Sequence, residues 1–391
     1  MAGRTTRWIR AGWRPSRDPA REPVIPPVFV SAIYTHPAMS LEREYPKVGD
    51  LKYSRENNPT LLGLEEALAE LESADWALAF TSGMAALTAI TVSALARGAR
   101  RIAVMRLTYG STRSLVDLLR RVSPGIEVEV AGPPWDKLLE AVARCDLAIV
   151  ESMANPTLRV PPLRDVYRQA RESGCMVAVD NTFATPLSHR PLESGASFSI
   201  ESLTKYISGH NDVVAGSAAG NGREELERLW DVRRLLGTTL QPIEAYMAWR
   251  GMKTLEVRFE RQSRSAAEVA EWLESHSKVS RVYYPGLPSH PDYNNARREL
   301  EGLYGGVVSF ELRGGRRAAF KLLSSLKLIE PSPSFGGVES LISYPALASH
   351  SNLSEEERRE LGITDGLLRL SVGLEDVADI VDDLARALRS V

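Results

Sequence analysis

Lysine is scarce in this chain of 391 residues: eight lysines stand against forty arginines, and there are only two cysteines, Cys145 and Cys175. So few cysteines exclude a disulfide-built scaffold or a multi-cysteine metal site, and they point to a reducing compartment. Both thiols adjoin apolar runs, LAIV and MVAV, where cysteine packs as a small hydrophobe; a reactive thiol or a disulfide is the other reading. No apolar stretch approaches the roughly 18 to 20 residues that span a bilayer. A dominant charge is also missing. The formal net charge is -2, so no basic field exists to neutralise nucleic-acid phosphates. The partner expected is a small molecule, with no nucleic acid, no membrane and no metal. Arg4, Arg7, Arg10, Arg14, Arg17 and Arg21 have the look of a transit peptide, but Glu22 and the extended segment PPVFV follow directly, so cytoplasmic placement is the expectation.

What is present is ordinary globular material, 43% hydrophobic and 25% charged, long enough for a large core and a second, smaller domain. From Pro59 onward, helical periodicity (LLGLEEALAELES, MAALTAITVSAL, STRSLVDLLRRV, DKLLEAVARC, LRDVYRQARES) alternates with short apolar runs (WALAF, RIAVM, IEVEV, LAIVES, MVAVD, FSIESL). That alternation predicts an α/β domain over 58–240, with a mostly parallel sheet covered on both faces and ligands at the carboxyl ends of its strands. After about residue 240 the pattern changes to one long helical run, Pro242 to His276, then VSRVYY, VVSFEL, helical RAAFKLLSSL, LLRLSV and the helix VADIVDDLARALR. This predicts a C-terminal α+β domain over 241–391, preceded by an N-terminal segment, 1–57.

The scarcity of lysine allows elimination. Lys137, Lys278, Lys321 and Lys327 fall on polar helix positions, Lys253 follows Arg250 on the long helix, and Lys47 and Lys52 lie in a polar loop. Lys205 differs. It follows FSIESL in SLTKYISGHNDVVAG, at the carboxyl edge of the sheet, where desolvation lowers an amine's pKa and makes it a nucleophile towards an aldehyde. A lysine snorkelling at a strand end is the plainer alternative. Asp180 ends MVAVD, where an anion could hold a pyridine nitrogen protonated or simply cap the next segment. The turn TSGMAA directs the free N–H groups of Gly83 and Met84 from a helix N-terminus, a ready anion site, and the hydroxyls of Ser202 and Thr204 flank Lys205. Tyr109, after RIAVM, could stack on a ring or pack in the core. The four signals come from four strand ends on one rim.

These stretches resemble the Cys/Met-metabolism family of pyridoxal-phosphate (PLP) enzymes, which includes cystathionine γ-synthases and γ-lyases, cystathionine β-lyases, methionine γ-lyases and O-acylhomoserine sulfhydrylases. The motifs are VIPPVFVSAIY, YSRENNPT, TSGMAA, ESMANPT, VDNTFATP, SLTKYISGHNDVVAG, SFGGVESLISYP and LLRLSVGLED, spread over nearly the whole chain. The resemblance implies the aspartate-aminotransferase type of fold (fold type I). It also implies that Lys205 carries PLP as a Schiff base and shuttles protons, Asp180 pairs with the pyridine nitrogen, Tyr109 stacks on the ring, and Gly83, Met84, Ser202 and Thr204 cradle the phosphate. Tyr53 and Arg55 of YSR would reach the phosphate of a neighbouring subunit, making 1–57 a contact segment of a homo-oligomer of tetrameric type. Asn155 and Arg369, with Ser334 beside them, would hold the substrate carboxylate through the bidentate fork of arginine.

Three positions depart from that pattern. Pro333 stands where cystathionine-handling γ-enzymes tend to have an acidic side chain and β-lyases an aromatic one; Ser111 stands where methionine γ-lyases have cysteine; and RAG replaces the usual HAG near the start. The expected activity is transsulfuration at the γ-carbon of a sulfur amino acid or an activated homoserine ester, as in cystathionine γ-lyase or γ-synthase. An O-acetylhomoserine sulfhydrylase or cystathionine β-lyase is the enzymatic alternative, and a non-catalytic PLP-binding protein the alternative of another class.

Overall fold

A computed structural model describes residues 3–13, 23–35, 48–351 and 353–391; Arg14, Arg17, Arg21, Glu22 and Lys47 lie outside the described residues. Seven strands form the larger sheet: β1 (Trp76–Phe80), β2 (Arg101–Met105), β3 (Glu127–Ala131), β4 (Leu147–Glu151), β5 (Met176–Asp180), β6 (Phe198–Glu201) and β7 (Gly216–Gly220). Their order is β1-β7-β6-β5-β4-β2-β3. All run parallel except β7, which is antiparallel to both its neighbours.

Apart from the edge strand β3, whose EVEVA is largely exposed, the strands are short and buried because both faces are covered. Ala103 and Met105 of β2 join the helix residues Leu138, Leu163 and Val166 in one core, while Ile102 and Val104 join Ala86, Ile90 and Leu119 in another. This period-two split is what a sheet buried on both sides requires. The carboxyl ends of β1, β2, β4, β5 and β6 consequently share one rim.

Sequence periodicity misses β7, whose GSAAG lacks every residue favoured in strands. The reason is steric. A Cβ on Gly220 would meet the Trp76 ring at 2.5 Å, and one on Gly216 would meet the backbone carbon of Ser82 at 2.2 Å. At those two positions only a bare backbone fits.

The smaller sheet follows: β8 (Val279–Tyr283), β9 (Val307–Leu312), β10 (Glu330–Pro331), β11 (Leu341–Ser343) and β12 (Leu367–Ser371), in the order β10-β11-β12-β9-β8. Helices Leu255–Ser275, Gly315–Leu323 and Val377–Arg389 bury Val269, Leu322, Leu384 and their neighbours against it. The chain is therefore α/β, with a mostly parallel central sheet and a separate smaller one.

The expected helical run from Pro242 to His276 is in fact two helices, Pro242–Met252 and Leu255–Ser275. Buried Arg258 explains the break. Its guanidinium takes the Gly251 carbonyl at 2.9 Å, and the Tyr206 and Ile207 carbonyls at 2.7 and 3.1 Å. A carbonyl needed to continue the first helix is thereby tied to the segment directly after Lys205.

Candidate functional site

The common rim opens into a cavity of about 640 Å³ between the two sheets. Ten of the expected residues line it: Gly83, Met84, Tyr109 and Asn155, then Asp180, Ser202, Thr204 and Lys205, and from the C-terminal part Ser334 and Arg369. Tyr53 and Arg55 do not. Tyr53 is exposed beside the isolated bridge it forms with Ile33, and the Arg55 guanidinium lies 5.5 Å from the Tyr53 ring and donates to the Arg234 carbonyl at 2.6 Å.

Lys205 sits four residues beyond the end of β6, in a turn closed by its own N–H on the Ser202 carbonyl at 3.0 Å. Its Nζ donates to Ser334 Oγ at 2.9 Å and lies 5.4 Å from the Phe335 ring. Burial and the positive charge of Arg369 bring its pKa down to about 8, against the opposing pull of Asp180. An amine so placed exchanges protons near neutral pH. Ser334 adopts φ 83°, a left-handed conformation unusual for a residue with a side chain, and so the hydroxyl is presented to Nζ from a strained backbone.

Asp180 ends β5. Its Oδ1 accepts from both the N–H and the hydroxyl of Thr182, and among the described residues no hydrogen bond engages Oδ2. Burial raises its pKa, while Thr182 and Lys205 pull it back. The fixed carboxylate thus keeps one oxygen for a cationic or N–H partner in the cavity.

At the β1 turn, the Ser82 side chain caps the helix Gly83–Ala96 by accepting from the Ala85 N–H at 3.1 Å. The first-turn N–H groups of Gly83 and Met84 are left without helical partners and face the cavity rim, where the helix dipole favours an anion. Ser202 approaches so closely that a Cβ on Gly83 would meet its Cα at 3.3 Å. The two hydroxyls expected here are not equivalent. Thr204 Oγ1 donates to the Ala215 carbonyl and accepts from the Ala215 N–H, at 3.2 and 3.0 Å, whereas none of the described contacts occupies the Ser202 hydroxyl.

Arg369, on β12, is only 5% exposed. Its two terminal nitrogens donate to Asn155 Oδ1 and the Ser334 carbonyl, both at 2.8 Å, while its buried Nε has no partner. Burial lowers its pKa only to about 10, so it stays cationic at neutral pH. Tyr109 stands at the start of helix Gly110–Val122 with 41% of its surface exposed, an aromatic face turned to an open cavity.

Glu151 was not expected. It ends β4 as Asp180 ends β5, lines the cavity, and accepts from the Tyr109 N–H and from Thr108 Oγ1 at 2.8 Å. The signal was available, since LAIVE and MVAVD terminate alike in a carboxylate. Thr182, Phe183 and Phe335 also line the cavity; the last two rings stack with centroids 4.0 Å apart.

Residues 5–389 match the family described as Cys/Met metabolism PLP-dependent enzyme. A cystathionine beta-lyase of Coxiella burnetii is 38% identical over 98% of this chain and 97% of its own length. An O-succinylhomoserine sulfhydrylase of Pseudomonas aeruginosa is 40% identical over 87% of this chain and 84% of that protein. The crystal structure of cystathionine gamma synthase from Xanthomonas oryzae pv. oryzae in complex with cystathionine superposes with a TM-score of 0.89 at 33% identity, covering 100% of both chains. Their names carry three different activities, a beta-lyase, a sulfhydrylase and a gamma synthase. The chain belongs to the Cys/Met metabolism PLP-dependent enzymes.

Proposed function

We propose that this enzyme carries out transsulfuration at the γ-carbon of a sulfur amino acid or an activated homoserine ester, in the manner of a cystathionine γ-lyase or γ-synthase. The supporting observation is the Lys205–Ser334 contact inside a cavity that also holds the Asp180 carboxylate and the Arg369 guanidinium. A γ-reaction needs protons moved at two adjacent carbons. One flexible amine with a pKa near 8 suits both transfers.

Pyridoxal phosphate fits the residues present. Asp180 Oδ2 is free for the ring nitrogen, the Gly83 turn and the Ser202 hydroxyl are free for the phosphate, and Tyr109 offers a face to the ring. When bound, the cofactor supplies an electron sink for charge that develops when a proton leaves the carbon bearing the substrate amine. The residues do the rest. Lys205 Nζ takes that proton and returns it at a neighbouring carbon, held in position by Ser334 Oγ. Arg369, braced by Asn155 and the Ser334 carbonyl, receives the substrate carboxylate and brings its unpartnered Nε into play. Phe183 and Phe335 keep water from the amine. In this reading residues 58–240 hold the cofactor, 241–391 complete the substrate side, and 1–57 contact a neighbouring subunit, where Tyr53 and Arg55 add to that subunit's site. The enzyme is then a homo-oligomer acting in the cytoplasm; among the described residues no helix is long and apolar enough to cross a membrane.

Pro333 favours a second reading, because it lines the cavity with an uncharged ring where cystathionine-handling γ-enzymes tend to have an acidic side chain. An O-acetylhomoserine sulfhydrylase, whose substrate has no distal ammonium, accommodates that; a cystathionine β-lyase, for which an aromatic side chain is usual there, is the other alternative that Pro333 leaves open. Incubation with cystathionine separates the cases: γ-cleavage yields 2-oxobutanoate and cysteine, β-cleavage pyruvate and homocysteine. O-acylhomoserine with cysteine, or with sulfide, then tests synthesis. Pyruvate as the main keto acid, or homocysteine formed with sulfide but no thioether formed with cysteine, would transfer the assignment to the second reading.

A further inference from the structure

We propose that Cys145 and Cys175 form a disulfide-closing site that ties the entry ends of β4 and β5 together, filled by exchange with a small-molecule disulfide. The two are the chain's only cysteines. They stand 30 residues apart in sequence, yet the parallel register of β4 and β5, with Leu147 opposite Met176, carries them side by side. Their Sγ atoms are 2.7 Å apart and both thiols are buried, beneath exposed Arg144 on one side and exposed Ser173 and Gly174 on the other. Both lie in an apolar cluster, and besides each other they meet only backbone polar groups, among them the Val142 and Met176 carbonyls. Cysteines merely filling apolar space have no reason to meet, since any two small hydrophobes would serve as well.

The environment assigns the order of attack. Either thiol can donate to the other across this contact; with Cys175 as the donor the contact lowers the Cys145 pKa and raises that of Cys175. Cys145 is therefore the nucleophile. Its thiolate attacks one sulfur of an RS–SR molecule, the RS–SR bond breaks, and one RSH leaves with the proton that Cys145 gave up. Cys175 then loses its proton and attacks the Cys145 sulfur, releasing the second RSH. Two protein thiols are oxidised and one disulfide is reduced to two thiols.

The bond lies at the edge of the sheet opposite the cavity. Five-residue strands put it about 17 Å from the Glu151 and Asp180 rim. It therefore acts on the persistence of the β4–β5 pairing and leaves the chemistry alone.

The test treats the full-length holoenzyme with oxidised glutathione, then denatures it in iodoacetamide and measures the intact mass. The expected product carries no alkyl group, is lighter than the phosphine-reduced protein by two hydrogens, and yields one crosslinked peptide containing both cysteines. Its apparent thermal midpoint rises by about 5 °C over the reduced form, with turnover unchanged. Cys175→Ser should trap glutathione on Cys145. Alkylation of both thiols, a persistent glutathione adduct on the wild-type chain, or equal midpoints for oxidised and reduced protein would overturn the proposal; glutathione held by Cys145→Ser but not by Cys175→Ser would overturn the order of attack.

Discussion

Glu151 and Asp180 face each other across the last register position of β4 and β5. Two carboxyl groups side by side in a buried rim cannot both be charged cheaply, and the environment divides the roles. Asp180 has the Thr182 N–H, the Thr182 hydroxyl and Lys205 to favour its anion. Burial, and then the charge of Asp180, push Glu151 up to about 8. At neutral pH Glu151 is therefore mainly the acid, while Asp180, itself raised by burial, is the member of the pair whose neighbours pull it back toward the anion.

A raised folded-state pKa has a definite sign in stability. The contribution of Glu151 is fully present below its ordinary value of 4.5 and is lost as pH rises through about 8. Buried Glu72, raised to about 7, acts in the same direction. Urea unfolding of the wild type should therefore weaken between about pH 5 and about pH 9, and Glu151→Gln should flatten that slope without abolishing it. An unchanged slope would show that Glu151 ionises normally.

Replacing Lys205 by arginine keeps the charge and removes the titrating amine. Lys205→Arg should lose turnover by about 10³-fold or more. Ser334→Ala should retain the amine but release its tether, lowering kcat by about 10-fold with little change in KM. Stopped-flow and steady-state rates on the same substrate distinguish the two.

For Arg369 the expected effect lies in substrate capture. Arg369→Lys should raise KM by about 10- to 100-fold, more than it lowers kcat, because a point charge cannot grip a carboxylate while also holding Asn155 and the Ser334 carbonyl. A fall confined to kcat would assign Arg369 to another role.

Stability should depend on Arg233, which is fully buried and joins Glu65 while donating to the Ala79 carbonyl at 3.0 Å; Glu65 in turn accepts the Ala79 N–H at 2.9 Å. Arg233→Leu strands the Glu65 carboxylate and should cost about 3 to 5 kcal/mol in chemical denaturation. The double change Glu65→Leu with Arg233→Leu should recover part of that loss.

The rim of strand ends was legible in the sequence because apolar runs stop at polar residues in a fixed rhythm, and those stops, at Gly83, Tyr109, Asp180 and Lys205, converge on one cavity. Glu151 was equally legible by position but passed unnoticed inside a longer motif. Other features depend on contacts between distant segments. The break after Met252 exists because Arg258 reaches back to Tyr206 and Ile207, and β7 begins and ends in glycine because Ser82 and Trp76 leave no room for a side chain at Gly216 and Gly220. The meeting of Cys145 and Cys175 follows from strand register, which periodicity does not specify.

The close approach of Gly216 to the Ser82–Gly83 turn, and of that turn to Ser202, divides the cavity by how freely it can change. At this end main chain rests on main chain, so no exchange of side chains can reshape it without moving a strand. Elsewhere the wall includes Met153, Pro333 and Leu347, whose side chains can be swapped one at a time. New substrates would accordingly be acquired at that wall, over a cradle that descent leaves alone.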